Sequence, residues 1–118
     1  MENKKNFNHN EANEWFRRNQ RPPDEHRQPD EDISLLSAWL QPFKSEIDTI
    51  IEIGCGSGHR LVQMTESLNA NGYGVEPSDE AVDYIANNFP SIRVKVGFGD
   101  NVPFDTTFDL VHLGFFLY

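Results

Sequence analysis

The sequence predicts an α/β fold in which a doubly wound parallel sheet follows an N-terminal helical arm. Short apolar runs alternate with amphipathic stretches of helical period, which is typical of parallel strands joined by right-handed helical crossovers. One apolar run contains a carboxylate, Glu52, and leads directly into three closely spaced glycines. The next apolar run ends in a second carboxylate, Glu76. Because ligands of such sheets bind beyond the carboxyl ends of the strands, both acids are expected at a binding site.

Residues 1–32 are predicted to form a polar, partly flexible arm, because they are rich in Asn, Gln, Arg, Glu and Pro. One short helix is expected over about Glu11–Asn19, with Ala12, Trp15 and Phe16 on one face. Packing of this face against the domain is the interpretation that we favour. The alternative is an aromatic lid in which Trp15 or Phe16 attracts a cationic ligand group.

Residues 33–118 are predicted to form the ligand-binding domain, and its helices follow from caps and apolar stripes. The first is expected to begin at an N-cap at Asp32 and to stop near Pro42. Another should follow the glycines from near Ser57, and a third should be capped by Ser78. Their inward faces are predicted as Leu36, Trp39, Leu40 and Phe43; Leu61, Met64 and Leu68; and Val82, Ile85, Ala86 and Phe89. The strands are predicted at Thr49–Ile53, Gly72–Val75, Ile92–Val96 and Phe108–Leu113.

The glycine-rich turn Gly54-Cys55-Gly56-Ser57-Gly58 is the main candidate for ligand binding. Glycines let the backbone approach a ligand, and the N-terminus of the next helix favours an anionic group. A carboxylate as deep in a strand as Glu52 needs a partner, which a cationic ligand group could provide. Cys55 is interpreted as a small residue beside the ligand rather than as a nucleophile. The third glycine comes one residue too early for the dinucleotide fingerprint.

The pattern Glu-x-Gly-x-Gly-x-Gly resembles the first motif of class I S-adenosylmethionine-dependent methyltransferases. Glu76 follows Gly58 by 18 residues, and Gly97-Phe98-Gly99-Asp100 and Phe108-Asp109-Leu110-Val111 match later segments of that family. The resemblance covers about residues 48–118. It implies a Rossmann-like sheet with strand order 3-2-1-4.

The resemblance also implies how S-adenosylmethionine would be bound. The backbone of Gly54, Cys55, Gly56 and Gly58 would approach the methionine portion, with Glu52 assisting its ammonium group. Glu76, followed by Pro77, would hold the ribose. The Asp100 side chain would contact the adenine amino group, and the Asn101 backbone N–H would face a ring nitrogen.

The function implied is methyl transfer to a small-molecule acceptor. No catalytic residue is assigned and no metal site is predicted. His112 is a candidate general base, although a histidine packed under a helix is the interpretation that we favour, and His59 is expected to be a surface or loop-packing group. Three alternatives remain open: an NAD-binding oxidoreductase, a polyamine-synthase-like enzyme, and a non-catalytic cofactor-binding or interaction module.

Charge and chain length shape the remaining expectations. The 118 residues carry a net charge of −9, and residues 33–118 hold four basic and eleven acidic side chains. Because no basic stripe is visible, nucleic acid is disfavoured as a partner, and no membrane partner is expected. A single cysteine and the lack of a signal-peptide pattern favour the cytoplasm. The sheet is expected to be C-terminally truncated after strand four, and a fragment of a longer domain is the explanation that we favour. The alternatives are a shortened domain completed by a partner and a homodimer through the strand-four edge.

Overall fold

A computed structural model describes residues 8–20 and 28–114 of the chain. Its centre is a four-stranded, fully parallel sheet in the order β3-β2-β1-β4, as predicted. The strands are β1 (Thr49–Ile53), β2 (Asn71–Glu76), β3 (Arg93–Val96) and β4 (Leu110–Leu113). The predicted bounds of β1 are exact, and those of the other strands differ by one or two residues.

The described residues form four α-helices, which are α1 (His9–Asn19), α2 (Glu31–Leu40), α3 (His59–Leu68) and α4 (Asp79–Asn88). A 3-10 helix at Gln41–Glu46 follows α2 directly and has Pro42 in its first turn. The predicted cap of α4 is confirmed, since Ser78 Oγ accepts from the Ala81 N–H. The predicted cap of α2 is wrong. Asp30, rather than Asp32, accepts from the Ile33 N–H and starts the helix two residues earlier.

The two faces of the sheet are covered differently. On one face, Ile50 packs with the inward stripes of α3 and α4, and the predicted α3 residues Leu61, Met64 and Leu68 are all buried there. On the other face, a smaller cluster contains Ile51, Ile53, Val75, Tyr73, Phe104 and Phe108. The carboxyl ends of β1 and β2 therefore emerge from a core that is well packed on the α3 side.

The predicted inward face of α2 is only partly right. Ile33 and Ser37 are buried and Leu36 and Leu40 pack against the core, whereas Trp39 is 84% exposed. Phe43 is also exposed. Packing of α2 against α3 selects the stripe of Ile33, Leu36 and Leu40, and Trp39 lies on the outer side of that stripe.

The α4 stripe also needs correction. Ala81 and Ile85 are its buried residues, while the predicted Ala86 is exposed. Ala81 lies next to the capping Ser78, so the cap brings the first turn of α4 down onto the sheet. Ile85 and Phe89 of the predicted stripe do pack in the core, so the prediction is wrong for Ala86 and missed Ala81.

Strand β4 lies at an edge of the sheet and pairs only with β1 among the described residues. Its side chains Val111 and Leu113 are exposed. The rest of the apolar run, residues 115–118, lies outside the described residues. Self-association through this edge stays a prediction, as does the division of the chain at residue 32. Within the part of the chain that is described, no helix has the length and apolarity needed to cross a membrane.

Candidate active site

The turn between β1 and α3 depends on glycine at each predicted position. Gly54, Gly56 and Gly58 have φ values of 74°, 57° and 87°, a region that side chains strongly disfavour. Gly58 precedes α3, and a Cβ there would meet Ile85 Cγ1 at 3.0 Å. The Gly54 N–H donates to the Val75 carbonyl at 2.8 Å, which ties the turn to the end of β2. The backbone at this edge is therefore tightly fixed, and three of its five residues carry no side chain.

Glu76 joins this turn to the start of α4. Its Oε1 accepts from the Gly56 N–H at 2.9 Å, and its Oε2 accepts from the Ser78 N–H at 2.8 Å. Burial raises the pKa of Glu76 to about 7, against the two N–H bonds that lower it, and nearby Glu52 raises it further. Each oxygen keeps a second lone pair that can accept a hydroxyl. Pro77, the next predicted site residue, is buried beside it.

Glu52 is fully buried at the end of β1 and lies in a three-residue polar cluster. His112 Nδ1 donates to Glu52 Oε2 at 2.7 Å, and Arg60 Nε lies 3.5 Å from the same oxygen. Glu52 Oε1 has no hydrogen-bond partner among the described residues. Gly114 makes room for the cluster, because a Cβ there would lie 3.0 Å from Glu52 Oε2 and 2.5 Å from the Gly54 carbonyl oxygen.

The pairing of Glu52 with Arg60 and His112 was missed from the sequence. The parallel register places His112 directly beside Glu52, so a correct strand pairing would have indicated that contact. Arg60 comes from the first turn of α3, one residue beyond His59. The expectation of a His112 packed under a helix is thus incomplete, because the imidazole is partly exposed and donates a hydrogen bond to the buried carboxylate of Glu52.

Cys55 lies in the turn as a buried thiol. Burial raises the pKa of this thiol well above its ordinary value, and the carboxylates Glu52 and Glu76 raise it further. A thiol that resists ionisation is a poor nucleophile. This agrees with the interpretation of Cys55 as a small residue beside a ligand.

Helix α1 packs over the turn through contacts that the sequence did not reveal. Asn13 Oδ1 accepts from Ser78 Oγ at 2.6 Å and from the Glu80 N–H at 3.3 Å. His9 Nδ1 donates to the Pro77 carbonyl at 2.8 Å, and Arg17 forms an ion pair with Glu80. These contacts fix α1 to the start of α4, directly beside Glu76.

A cavity of about 150 Å³ lies between α1 and the glycine-rich turn. Helix α1 contributes one wall, and the turn with the start of α3 contributes the other. Its lining consists of Trp15, Phe16, Asn19, Cys55, Gly56, Ser57, His59 and Arg60. A ligand in this cavity would meet the Gly56 backbone, the aromatic side chains of α1 and the Arg60 side chain in one place.

Asp100 and Asn101 are exposed and lie on the turn after β3. The Asn101 N–H, expected to face an adenine ring nitrogen, donates to the Phe98 carbonyl at 3.1 Å. The structure therefore brings Glu52, the glycines, Cys55, Glu76 and Pro77 together, and leaves Asp100 and Asn101 on a separate turn. The roles of all these residues in ligand binding stay predictions.

A parallel sheet in this order, with a glycine turn after β1 and an acid at the end of β2, defines a Rossmann-like α/β protein with its site at the strand ends. Residues 50–118, more than half of the chain, match the family model described as a methyltransferase domain. The chain therefore belongs to that methyltransferase-domain family, and the resemblance to class I S-adenosylmethionine-dependent methyltransferases is confirmed.

Solved structures share the fold at low identity. CalS10 of Micromonospora echinaspora, an amino pentose methyltransferase solved with S-adenosylmethionine, is 16% identical to this chain, with a TM-score of 0.62. The match covers 77% of this chain and 39% of CalS10. DesVI of Streptomyces venezuelae is also 16% identical, with a TM-score of 0.62 and coverages of 92% and 44%. The methyltransferase PaMTH1 of Podospora anserina, bound to S-adenosylhomocysteine, is 22% identical, with a TM-score of 0.61 and coverages of 87% and 47%.

The chain thus spans less than half the length of each of these three proteins, and at such identities the likeness concerns the fold. A search of curated proteins found no match.

Proposed function

We propose that the chain binds S-adenosylmethionine and forms the cofactor-binding part of a methyltransferase that acts on a small molecule. The observation that carries the proposal is the convergence of Glu52, the bare glycine turn and Glu76 at the ends of two adjacent strands. Glu52 Oε1 is fully buried without a partner among the described residues, so it can accept a hydrogen bond from a cationic ligand group.

Each half of the site suits a different part of that ligand. Glu52 would accept from the ammonium group, and the Gly54–Gly58 backbone would allow close approach of the methionine portion. The Glu76 oxygens, already oriented by the Gly56 and Ser78 N–H groups, would accept from the two ribose hydroxyls. Asp100 and Asn101 would contact the adenine.

The cofactor supplies an already activated methyl group on a positively charged sulfur. The protein's own contribution is to orient the ligand and hold it in a site from which bulk water is excluded. A small acceptor is supported by the strongly acidic composition of residues 33–118, which lack the basic surface that a nucleic-acid substrate requires. His112 stays a candidate for proton removal from the acceptor, held by its bond to Glu52.

Calorimetry with S-adenosylmethionine, S-adenosylhomocysteine and NAD tests the proposal. We expect both adenosyl ligands to bind more tightly than NAD, because the turn lacks the third glycine at the spacing a dinucleotide requires. Tighter binding of NAD would reject the methyltransferase function and favour an oxidoreductase.

Glu76→Ala tests the ribose contact. Two charge-assisted hydrogen bonds of about 1.5–3 kcal/mol each would be lost before water compensates, so affinity should fall at least about tenfold. Because the Gly56 and Ser78 N–H groups also lose their acceptor, folding must be checked by circular dichroism and thermal melting. Asp83→Ala, which changes an exposed acid further along α4, is the matched control and should bind normally. Normal binding by a folded Glu76→Ala variant would show that Glu76 is a structural group only.

A further inference from the structure

The two aromatic side chains of α1 have different environments. Phe16 is buried and packs edge-to-face on Tyr84, with ring centroids 5.8 Å apart. Its position accounts for the docking of α1 against α4. Trp15 is only partly buried and lies against the glycine-rich turn, where a Cβ added to Gly56 would be 3.9 Å from Trp15 Cζ3. Docking of the helix against α4 therefore uses Phe16, whereas the Trp15 indole lies over the glycine-rich turn.

The indole reaches the turn because Gly56 has no side chain. Trp15 and Gly56 both line the cavity between α1 and the start of α3. Any group bound against the Gly56 backbone from this cavity would therefore lie next to the Trp15 ring. The helix that presents Trp15 is held in place by the Asn13, His9 and Arg17 contacts with the start of α4.

The electrostatics beneath the cavity favour a positive ligand group. Glu52 and Glu76 are both buried under the turn, and the charge of each raises the pKa of Cys55 in the cavity wall. Arg60 offsets part of this charge and lies beside Glu52. Arg60 itself lines the cavity, whereas the carboxylates lie behind the turn. A cation between the Trp15 ring and the Gly56 backbone would be attracted by the ring and, through the turn, by Glu76, whose Oε1 accepts from the Gly56 N–H.

We infer that Trp15 is a cofactor-contacting residue whose ring lies against the sulfonium group and selects the charged cofactor over its neutral thioether product. This inference rests on the proposed function and extends it, since it assigns part of the site to the N-terminal arm. The arm then contributes to ligand discrimination as well as to packing. Tryptophan is suited to this role, because its ring attracts cations more strongly than that of Phe or Tyr.

The experiment uses the fact that the chain has two tryptophans, Trp15 and the exposed Trp39. In a Trp39→Phe background, Trp15 is the only indole that reports. Titration with S-adenosylmethionine should change its emission along the binding curve that calorimetry gives for the same protein. Calorimetric binding of the ligand without any change in Trp15 emission would overturn the inference while leaving the proposed function intact.

Selectivity is measured with Trp15→Leu and with Trp39→Leu as the matched control. Trp15→Leu should weaken S-adenosylmethionine binding by about fivefold or more, with a smaller loss for S-adenosylhomocysteine. Trp15→Phe should lie between Trp15→Leu and the parent, and Trp39→Leu should match the parent. Equal losses for both ligands would overturn the sulfonium contact. Failure of the parent protein to bind either ligand would reject the proposed function, and this inference with it.

Discussion

The two halves of the candidate site at the sheet edge differ in how deeply their binding groups are buried. Around β1 and β2, Glu76 is fixed by two backbone N–H groups and Glu52 is enclosed by Arg60 and His112. Beyond β3, Asp100 and Asn101 lie on an exposed turn. Buried groups that the protein already orients lose little freedom on binding, whereas exposed side chains on average lose more. We therefore expect the β1–β2 half to supply most of the binding free energy and the β3 half to adjust to the ligand.

The largest expected effect comes from filling the space at Gly114. A Cβ there would lie 2.5 Å from the Gly54 carbonyl and 2.9 Å from Arg60 Nη2, so the turn must move. Gly114→Ala should lower the free energy of unfolding by about 1–3 kcal/mol, measured by chemical denaturation. Gly97→Ala is the control on the β3 side, where the nearest atom, Val75 Cγ1, is 3.2 Å away. Equal losses in the two variants would contradict the difference between the halves.

A second test uses the pH dependence of binding. Glu76 has a pKa of about 7 in the free protein, and ribose hydroxyls donate to its ionised form, so binding should lower that pKa. Protonation of the free protein then competes with the ligand as the pH falls. Affinity for S-adenosylhomocysteine should be about tenfold weaker at pH 6 than at pH 8. Glu76→Gln should remove most of this dependence, and an unchanged pH profile in that variant would show that another group titrates.

The smallest effect is expected at Asp100. Asp100→Ala would remove one exposed hydrogen bond to the adenine amino group, which should weaken binding by about two- to tenfold. Asp105→Ala, also exposed and in the following loop, is the matched control and should bind like the parent. A loss at Asp100 as large as that of Glu76→Ala would mean that the β3 turn is as important as the buried half.

Local signals in the sequence were enough to predict the sheet and the turn. The bounds of β1 and the three glycines follow from an apolar run and from conformations that glycine alone adopts readily. Ser78 was likewise predicted as a cap, because a cap depends on residues within one turn. The strand order came from the family resemblance and is confirmed by the pairing.

Features that depend on contacts across the chain were not predictable in this way. The exposed Trp39 was assigned to the core, because apolar spacing alone does not reveal which of two overlapping stripes packs against α3. The bond from Ser78 to Asn13 joins residues 65 positions apart. The cluster around Glu52 needs both the β1–β4 register and the first turn of α3, so one buried carboxylate did not indicate its partners.

The position of Glu76 between two backbone N–H groups limits how this protein could be redesigned. Changing the acid at the end of β2 is an obvious route to altering which nucleotide a Rossmann-like site accepts. Here the same carboxylate cross-links the glycine turn to the start of α4. A basic or small replacement would leave two buried donors without an acceptor. A change of specificity would therefore first require a new hydrogen-bond acceptor for the Gly56 and Ser78 N–H groups.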